Sequence, residues 1–556
     1  MPRRRRSVFA SRPSYGRSAM WLEPGSMRRR RGPRRFLAPF MAVLALGAAI
    51  AAVVYVVLGT RDTDPRPAAA QKFAAAWSKG DRVAMRDLLD DDTQKAYSQK
   101  RFNATYRAAE RAATVTAVRT GKVEKTRGGR FVVPVAVRTR VFGTLRGVVV
   151  LPMVQAGGEG RVRWRPFLRL PGLRPGESVT RRVLTQPHRA AILAADGRRL
   201  DRIPGTAGIV GTPPGGDSPG SGLERRYDQR LGGRPGAELR YGHRLIRRVK
   251  VRRGHAVHAT ISPGLQRAAQ QALGNRLGGI ALLRPRDGSV LALAGLAVSG
   301  PQPPGSTFKI ITLSAALQNG IAKPTSTYPV RTAATLSGVP LRNASNESCG
   351  GTLVNAFVVS CNSVFAPLGA KLGAKRLVAA AERFGFNEPP RIPAARVARI
   401  SPPSRLRDSL AVGAAAIGQD RDLATPLTMA SVGATIAEKG VRAKPRITRG
   451  DAVIRHRAVP AKVAAQVRSM MIGVVQGGTG TAARIAGVQV AGKTGTAEHQ
   501  SGAAPHAWFT GFAPADNPQV AVAVIVENGG DSGNEATGGA VAAPIAKAVM
   551  EAVLNK

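Results

Sequence analysis

The stretch Pro304-Gly305-Ser306-Thr307-Phe308-Lys309 places a serine and a lysine three residues apart, directly after a Pro-Gly break. An apolar run from Ile310 to Leu317 follows, so the break and the run together predict the first turn of a buried helix. Residues i and i+3 share one face of a helix, which puts the Lys309 amine within reach of the Ser306 hydroxyl. Burial and the positive end of the helix dipole both favour the neutral amine, and a serine beside such a base is an activated nucleophile.

Two further short motifs follow this pair along the chain. Ser360-Cys361-Asn362 comes after the helical pattern of Leu353–Val359, and by itself it would be a turn or a helix cap. Lys493-Thr494-Gly495-Thr496 follows an alternating apolar pattern that predicts the edge of a strand, where Gly495 would let a ligand approach the backbone closely. Each motif alone is common in proteins. Together they lie on helix, loop and strand, in this order and separated by roughly 50 and roughly 130 residues, which is a specific combination.

The combination resembles that of the class B penicillin-binding proteins, and the resemblance covers about residues 66–556. Other family-like stretches are Gly418-Gln419, Thr425-Pro426-Leu427, Gly477-Gly478-Thr479-Gly480 and Trp508-Phe509-x-Gly511-Phe512. The resemblance implies an α+β multidomain protein. Its transpeptidase domain, residues 261–556, would have an antiparallel sheet packed between helices in a β-lactamase-like fold.

The resemblance also implies the activity, which is D,D-transpeptidation of peptidoglycan stem peptides that end in D-Ala-D-Ala. In that family chemistry Ser306 attacks the substrate carbonyl while Lys309 takes its proton. Ser360 would relay a proton to the leaving D-Ala amine, and Asn362 would hold the Lys309 side chain and the substrate amide. Lys493 would supply positive potential.

The third motif, Lys493-Thr494-Gly495-Thr496, would bind the substrate. The hydroxyls of Thr494 and Thr496 would bind the terminal carboxylate beside Gly495, and the backbone N–H groups of Ser306 and Thr496 would form the oxyanion hole. A β-lactam mimics the D-Ala-D-Ala end, so β-lactam antibiotics are expected to acylate the same serine covalently.

The N-terminal segment predicts a membrane anchor. Residues 1–35 contain twelve arginines and a single acid, Glu23, and should form a disordered basic tail. Residues 36–59 carry no charge, and ~20 apolar residues match a membrane-crossing helix; a cleaved signal peptide has a shorter apolar region, and a buried core helix is the alternative. The preceding arginines place the N-terminus in the cytoplasm and the catalytic domain outside the bacterial cell membrane, as a single-pass protein.

Two non-catalytic domains are expected before the transpeptidase domain. In residues 66–180, a helical pattern from Ala68 to about Leu89 and further helix to about Ala112 precede strand-like runs. This order indicates a small α+β domain similar to a nuclear-transport-factor-like domain. Residues 183–260 resemble the pedestal, or dimerisation, domain of the family through Leu223-Glu224-Arg225-Arg226-Tyr227-Asp228. This stretch departs from the family pattern at Arg189-Ala190-Ala191.

Charge and composition exclude several other functions. The formal charge of +51 and a pI of about 11.8 could indicate a polyanion partner, but the basic residues are dispersed and no nucleic-acid-binding motif is present. We therefore expect solvated surface charge and no nucleic-acid partner. The chain has no CxxC or HExxH motif and its histidines are scattered, so neither a metal site nor a cofactor is expected.

The two cysteines, Cys349 and Cys361, would lie outside the membrane, where disulfides persist. We therefore propose a bridge between them that pins the Ser360–Asn362 loop. The alternative is a pair of buried free thiols that act as small hydrophobic side chains.

Two other functions stay open at this point. Water as the acceptor would make the same site a D,D-carboxypeptidase or a β-lactamase, although the sequence identifies no base for the deacylating water. A non-catalytic β-lactam-binding scaffold or sensor is the second alternative, and the intact motif residues argue against it. Because residues 61–260 leave no room for a glycosyltransferase domain, we expect a separate membrane glycosyltransferase as partner, in a role such as cell division or cell shape.

Overall fold

The computed structural model describes residues 64–419, 421–498 and 502–555. The predicted basic tail, 1–35, and the predicted anchor, 36–59, lie outside these residues, so both stay predictions. Within the described ranges, no single helix is both long and apolar enough to cross a bilayer. The segments Glu527–Glu535 and Gly538–Leu554 meet the length and composition criteria only as a pair, bent by 117°.

The chain divides into two compact units. Of the described residues, the smaller unit comprises 64–105, 117–137 and 146–172, and the larger one comprises 106–116, 138–145 and those from 173 onward. The helices before residue 173 are α1 (Arg66–Lys79), α2 (Arg82–Asp87), α3 (Asp91–Ala96) and α4 (Gln99–Ala113). The strands there are β1 (Val115–Thr120), β2 (Glu124–Lys125), β3 (Phe131–Thr139), β4 (Gly143–Leu151), β5 (Met153–Ala156) and β6 (Glu159–Val162).

The helical pattern from Ala68 to about Leu89 forms two helices, α1 and α2, and not one. Gly80 adopts φ +75°, a left-handed conformation that terminates α1. The carboxylate of Asp81 then caps α2 by accepting a hydrogen bond from the Ala84 N–H at 3.0 Å. Pro152 likewise separates β4 from β5, because proline has no N–H to donate to a strand ladder.

Order in the first sheet is β1-β3-β2, with β4 pairing with β3, while β5 and β6 form a hairpin. Trp164 is fully buried in the smaller unit and meets the Phe102 ring edge-on, with 4.8 Å between the ring centroids. This aromatic pair forms part of the unit's own core.

The pedestal-like region of the larger unit contains short elements. They are β7 (Val179–Val183), β8 (Ile192–Leu193), α5 (Ala207–Val210), α6 (Gly222–Arg226), α7 (Asp228–Gly232), β9 (Ala237–Tyr241), β10 (Arg244–Val249) and β11 (Val257–His258). Antiparallel strands follow the order β10-β9-β7, and β8 pairs in parallel with β11. Arg189 forms ion pairs with Glu224 at 2.5 Å and with Asp228 at 2.7 Å. The stretch that departs from the family pattern is therefore still tied to the short helices.

The remaining part of the larger unit contains a main sheet covered by helices and several short strand pairs outside that sheet. Its strands are β12 (Gly278–Arg284), β13 (Ser289–Gly295), β14 (Thr327–Arg331), β15 (Ala333–Leu336), β16 (Val339–Arg342), β17 (Cys349–Thr352), β18 (Val441–Ala443), β19 (Arg455–Arg457), β20 (Ala491–Ala497), β21 (His506–Ala513) and β22 (Val520–Val526). Its helices are α8 (Pro263–Leu273), α9 (Lys309–Gln318), α10 (Leu353–Val358), α11 (Asn362–Leu372), α12 (Ala374–Phe384), α13 (Ser409–Ala416), α14 (Pro426–Ala437), α15 (Ala461–Gly477) and α16 (Ala543–Leu554).

Five antiparallel strands form the main sheet in the order β13-β12-β22-β21-β20, which confirms the predicted sheet between helices. The central strand β22 is buried throughout. Val522 and Val524 lie in the core beneath α8 and α16, whereas Ala521 and Ala523 lie in the core that includes α14. A strand buried on both faces needs this continuous apolar sequence. The third motif is thereby placed on β20, at the edge of the sheet.

Candidate active site

Ser306 lies in a short 3-10 turn, Gly305–Phe308, that leads into α9. Gly305 adopts φ +52°, and a Cβ atom there would lie 2.9 Å from the Thr496 carbonyl oxygen, so glycine allows this turn to sit against β20. Phe308 and Lys309 are fully buried behind the turn, while Ser306 is only half-buried. The predicted helix start is confirmed, and the serine keeps access to solvent.

Lys309 is completely buried, and its amine faces the second motif. Its Nζ atom donates to Asn362 Oδ1 at 2.6 Å and to the Ser360 carbonyl oxygen at 2.7 Å. Desolvation lowers the pKa of Lys309 well below its ordinary value, and the charge of Lys493 lowers this pKa further. Among the hydrogen bonds of the described residues, none joins this amine to Ser306 Oγ. The two side chains share a helix face, but in this structure the amine is bonded to Ser360 and Asn362.

Ser360 follows the end of α10 in a left-handed conformation, with φ +67°. The Cys361 N–H donates to the Ala356 carbonyl at 2.8 Å and closes the end of the helix. Ser360 thus occupies the left-handed position after a helix that glycine usually takes. This bend directs the Ser360 carbonyl toward Lys309 and its hydroxyl toward Lys493, whose Nζ lies 2.8 Å from Ser360 Oγ. The end of α10 thus places the carbonyl group of Ser360 against Lys309 and its hydroxyl group against Lys493.

Lys493 is fully buried on β20 and also donates to the Thr494 carbonyl at 3.1 Å. Desolvation lowers its pKa to about 7. Aromatic rings contribute to this dry environment, because Lys493 Nζ lies 5.6 Å from the Phe357 ring centroid and Lys309 Nζ lies 5.6 Å from that of Phe365. Two amines with lowered pKa values therefore meet in one apolar pocket.

Gly495 packs closely against the turn that carries Ser306. A Cβ atom there would lie 2.9 Å from the Pro304 carbonyl oxygen and 3.1 Å from Thr307 Cγ2. The approach of a ligand to the Gly495 backbone stays a prediction. Glycine at this position lets the nucleophile's turn pack against β20.

Thr479 is a site residue to which the sequence assigned no role. Its Oγ1 atom lies 2.6 Å from Thr494 Oγ1, and its backbone N–H donates to the Val358 carbonyl at 3.4 Å, in the last turn of α10. Thr479 is exposed, whereas Thr494 is buried. The only sequence signal for this residue was a threonine between glycines in Gly477-Gly478-Thr479-Gly480. Next to Thr494, the Thr496 hydroxyl accepts the Gly538 N–H at 3.4 Å.

The cysteines flank the second motif. Cys349 begins β17 and Cys361 lies between Ser360 and Asn362, and in the structure their sulfur atoms are 2.14 Å apart, at bonding distance, with a Cα–Cα distance of 5.8 Å. A covalent link at this place would fix the loop that carries the two polar residues of the motif. No cluster of three or more His, Cys, Asp or Glu side chains suited to a metal ion occurs in the described part of the chain.

Two family models match the chain, namely the penicillin binding protein transpeptidase domain over residues 278–551 and the NTF2-like N-terminal transpeptidase domain over residues 65–177. The peptidoglycan D,D-transpeptidase PbpA of Mycolicibacterium smegmatis is 37% identical over an alignment of 398 residues, and the match covers 60% of this chain and 80% of that relative. This chain belongs to the class B penicillin-binding proteins. The family predicted from the three motifs is thereby confirmed.

Solved penicillin-binding protein structures agree with the fold. The crystal structure of PBPA from Mycobacterium tuberculosis has a TM-score of 0.57 and 32% identity, and the match covers 66% of this chain and 99% of that chain. The penicillin G acyl-enzyme complex of the same protein matches with a TM-score of 0.57 and 33% identity, over 66% of this chain and 100% of that chain. The D,D-transpeptidase domain from Eggerthella lenta has a TM-score of 0.59 and 28% identity, and the match covers 67% of this chain and 99% of that chain. The predicted domain boundaries and residue roles stay predictions.

Proposed function

We propose that the protein is a D,D-transpeptidase that cross-links peptidoglycan stem peptides through an acyl-enzyme on Ser306. The observation that supports this most is the convergence of the three motifs. Lys309 Nζ lies 2.6 Å from Asn362 Oδ1, and Lys493 Nζ lies 2.8 Å from Ser360 Oγ. Residues far apart in the sequence thus form one continuous hydrogen-bonded group beside a half-buried serine.

Acylation would begin with attack of Ser306 Oγ on the carbonyl of the penultimate D-Ala. The serine proton passes to the neutral Lys309 amine, whose lowered pKa suits it as a base. Backbone N–H groups of Ser306 and Thr496 would stabilise the oxyanion, an effect worth ~3–4 kcal/mol where single donors have been removed. The peptide C–N bond then breaks, and the proton held by Lys309 passes through the Ser360 hydroxyl to the leaving D-Ala amine, which leaves Lys309 neutral again.

The terminal carboxylate would bind beside β20. Lys493 supplies positive charge there, and the Thr494 and Thr496 hydroxyls donate hydrogen bonds to the carboxylate oxygens. Because Thr479 Oγ1 lies 2.6 Å from Thr494 Oγ1, its hydroxyl can donate to Thr494 and leave the Thr494 proton for the substrate. Thr479 therefore joins the predicted substrate-binding residues.

Deacylation would use an amine of a neighbouring stem peptide. The amine attacks the ester carbonyl, and its proton passes to Lys309. Lys309 then gives this proton to Ser306 Oγ as the bond between the acyl carbon and Ser306 Oγ breaks. The product is a new amide that joins two stems. Water in place of the amine would give the hydrolysed stem of a D,D-carboxypeptidase.

We further propose that residues 36–59 anchor the protein in the cell membrane with the catalytic domain outside, and that a membrane glycosyltransferase supplies the polymer to be cross-linked. The uncharged segment 36–59 and the arginines that precede it support the anchor. The partner follows from the assignment of residues 61–260 to non-catalytic domains.

The test has a labelling arm and a turnover arm. Ser306→Ala should abolish covalent labelling by a fluorescent penicillin. Ser314→Ala is the matched control, since Ser314 lies on α9 and its hydroxyl donates to the Ile310 carbonyl of its own helix at 2.7 Å; it should label normally. Mass mapping of the labelled peptide identifies the modified residue. A turnover assay with a D-Ala-D-Ala stem and an amine acceptor should yield the cross-linked product, and hydrolysis alone in excess amine would contradict transpeptidation.

A further inference from the structure

Asn343 is buried outside all three motifs and binds three separate segments of the chain. It is 6% exposed, and its Nδ2 atom donates to the Arg331 carbonyl at 2.7 Å and to the Glu347 carbonyl at 2.8 Å. Its Oδ1 atom accepts the Ser363 N–H at 2.8 Å. Carbonyls can only accept and the N–H can only donate, so a single orientation of the Asn343 amide satisfies all three bonds.

This contact caps the helix that begins at Asn362. The first N–H groups of a helix have no hydrogen-bond acceptor within the helix. The side-chain oxygen of the N-cap residue normally accepts a hydrogen bond from one of them. The N-cap of α11 is Cys361, which makes no side-chain cap hydrogen bond, and its sulfur is joined to Cys349. Asn343 therefore provides the missing acceptor from a different segment of the chain.

The preceding residue binds the catalytic asparagine itself. The Arg342 carbonyl accepts a hydrogen bond from Asn362 Nδ2 at 2.8 Å. This bond fixes the amide so that its Oδ1 atom, and not its NH2 group, faces Lys309 Nζ at 2.6 Å. Arg342 and Asn343 thus hold Asn362 and Ser363, residue by residue, at the start of α11.

The orientation of the Asn362 amide decides whether Lys309 can act as a base. A neutral amine has two N–H donors and one lone pair. Asn362 Oδ1 and the Ser360 carbonyl accept its two donors, at 2.6 Å and 2.7 Å. The lone pair is then left for a proton from a hydroxyl, and the hydroxyl oxygen of Ser360 itself lies 3.3 Å from Nζ. A reversed amide would direct its NH2 group at the lone pair and occupy it.

We propose that Asn343 is a positioning residue for acylation, acting through Asn362 to keep the lone pair of Lys309 free. This proposal rests on the proposed function, in which Lys309 is the base for Ser306. It concerns a residue that does not touch the substrate and that belongs to none of the motifs.

The pH dependence of acylation by a penicillin tests the proposal in Asn343→Leu. Two acceptor oxygens on an amine favour its charged form, and loss of one lowers the pKa of Lys309. We expect the maximal second-order rate constant to fall about 10- to 100-fold while the rising acid limb shifts to lower pH. Lys493 is the charged group that acts on Lys309, and it is unchanged in this variant.

A control variant tests whether loss of a nearby asparagine amide is enough to change acylation. Asn355 is exposed, and its amide donates to the Gly350 carbonyl at 2.9 Å, not to a residue of the three motifs, so Asn355→Leu should keep both the rate and the pH profile. An acid limb that stays in place in Asn343→Leu, or moves to higher pH as in a loosened and hydrated site, would overturn the proposal.

A double-variant cycle provides a second measurement, and Asn343→Ala replaces the leucine variant if that variant does not fold. In an Asn362→Ala background, substitution of Asn343 should have no further effect on the acylation rate, because the proposed route passes through Asn362. An undiminished effect in that background overturns the proposal. Failure of the proposed function itself would look different, since the wild-type protein would then carry no penicillin on Ser306.

Discussion

Lys309 and Lys493 share a single hydroxyl group, since their Nζ atoms lie 3.3 Å and 2.8 Å from Ser360 Oγ. Both amines are completely buried, so two positive charges here would be costly. Burial lowers the pKa of Lys493 to about 7, and burial together with the charge of Lys493 lowers that of Lys309 well below its ordinary value. One neutral and one charged lysine is therefore the favoured state near neutral pH, which suits a base beside a carboxylate-binding cation.

The charge of Lys493 should set the alkaline limit of acylation. Lys493 is protonated below its pKa of about 7 and neutral above it, so acylation by a carboxylate-bearing penicillin should decline as the pH rises through that value. Lys493→Arg keeps its charge at every accessible pH and should lose this declining limb, even if its rate is lower. Rate constants measured from about pH 5 to about pH 9 test this, and a limb that persists in the arginine variant would point to another group.

Two substitutions of Ser360 should differ in stability but lose activity alike. Its φ of +67° is strained for any residue with a Cβ atom, by ~1–2 kcal/mol. Ser360→Gly should therefore be more stable than Ser360→Ala by about 1 kcal/mol, although both variants lose the shared hydroxyl and most of the acylation rate. Thermal unfolding and penicillin labelling of the pair provide the comparison. Equal melting temperatures would mean that the left-handed conformation is not maintained.

Thr479 should affect recognition of the substrate carboxylate. Thr479→Val keeps the shape of the side chain but removes the hydroxyl that lies 2.6 Å from Thr494 Oγ1. Loss of one hydrogen bond is worth about 1 kcal/mol, so the second-order acylation constant should fall about 5-fold. Thr479→Ser retains the hydroxyl and serves as the control that should stay near the wild-type value. A similar loss in both variants would indicate a packing role.

The bridge between Cys349 and Cys361 should stabilise the protein. The cysteines are 12 residues apart, and closing a loop of this size stabilises by ~3 kcal/mol in the chain-entropy treatment. We expect the Cys349→Ser, Cys361→Ser double variant to lose about this much free energy of unfolding. Reductant should destabilise the wild-type protein to the same level and leave the double variant unchanged. Two alkylated thiols in the unreduced wild-type protein would rule the bridge out.

The parts of the site that the sequence predicts are local ones. The i+3 spacing of Ser306 and Lys309 and the alternation before Lys493 each describe a single helix or strand, and both elements form as expected. Asn343 and Thr479 could not be found in this way, because their importance lies in contacts with backbone carbonyls and a hydroxyl from distant segments. Residue patterns indicate which face of an element is buried, but not which loop covers it.

The same distinction explains the one correction. The pattern after Ala68 is helical on both sides of Gly80, and the left-handed backbone there separates the helices. Gly495 adds a contact that the sequence did not predict, because a Cβ atom there would meet Pro304 of the turn that carries Ser306. Both glycines can be read from the sequence, but the backbone conformation of one and the neighbour of the other are set by the folded structure.

The strand β22 places four valines on one side of the sheet, and Ala521, Ala523 and Ile525 on the other. Val522 and Val524 fill space beneath α8 and α16, so shortening them would leave voids. Ala521 and Ala523 instead leave room for α14, where added methyl groups would push the helix outward. Truncation is thus the damaging change at the two valines and enlargement at the two alanines, so a substitution at these four positions can be judged by the volume that it removes or adds.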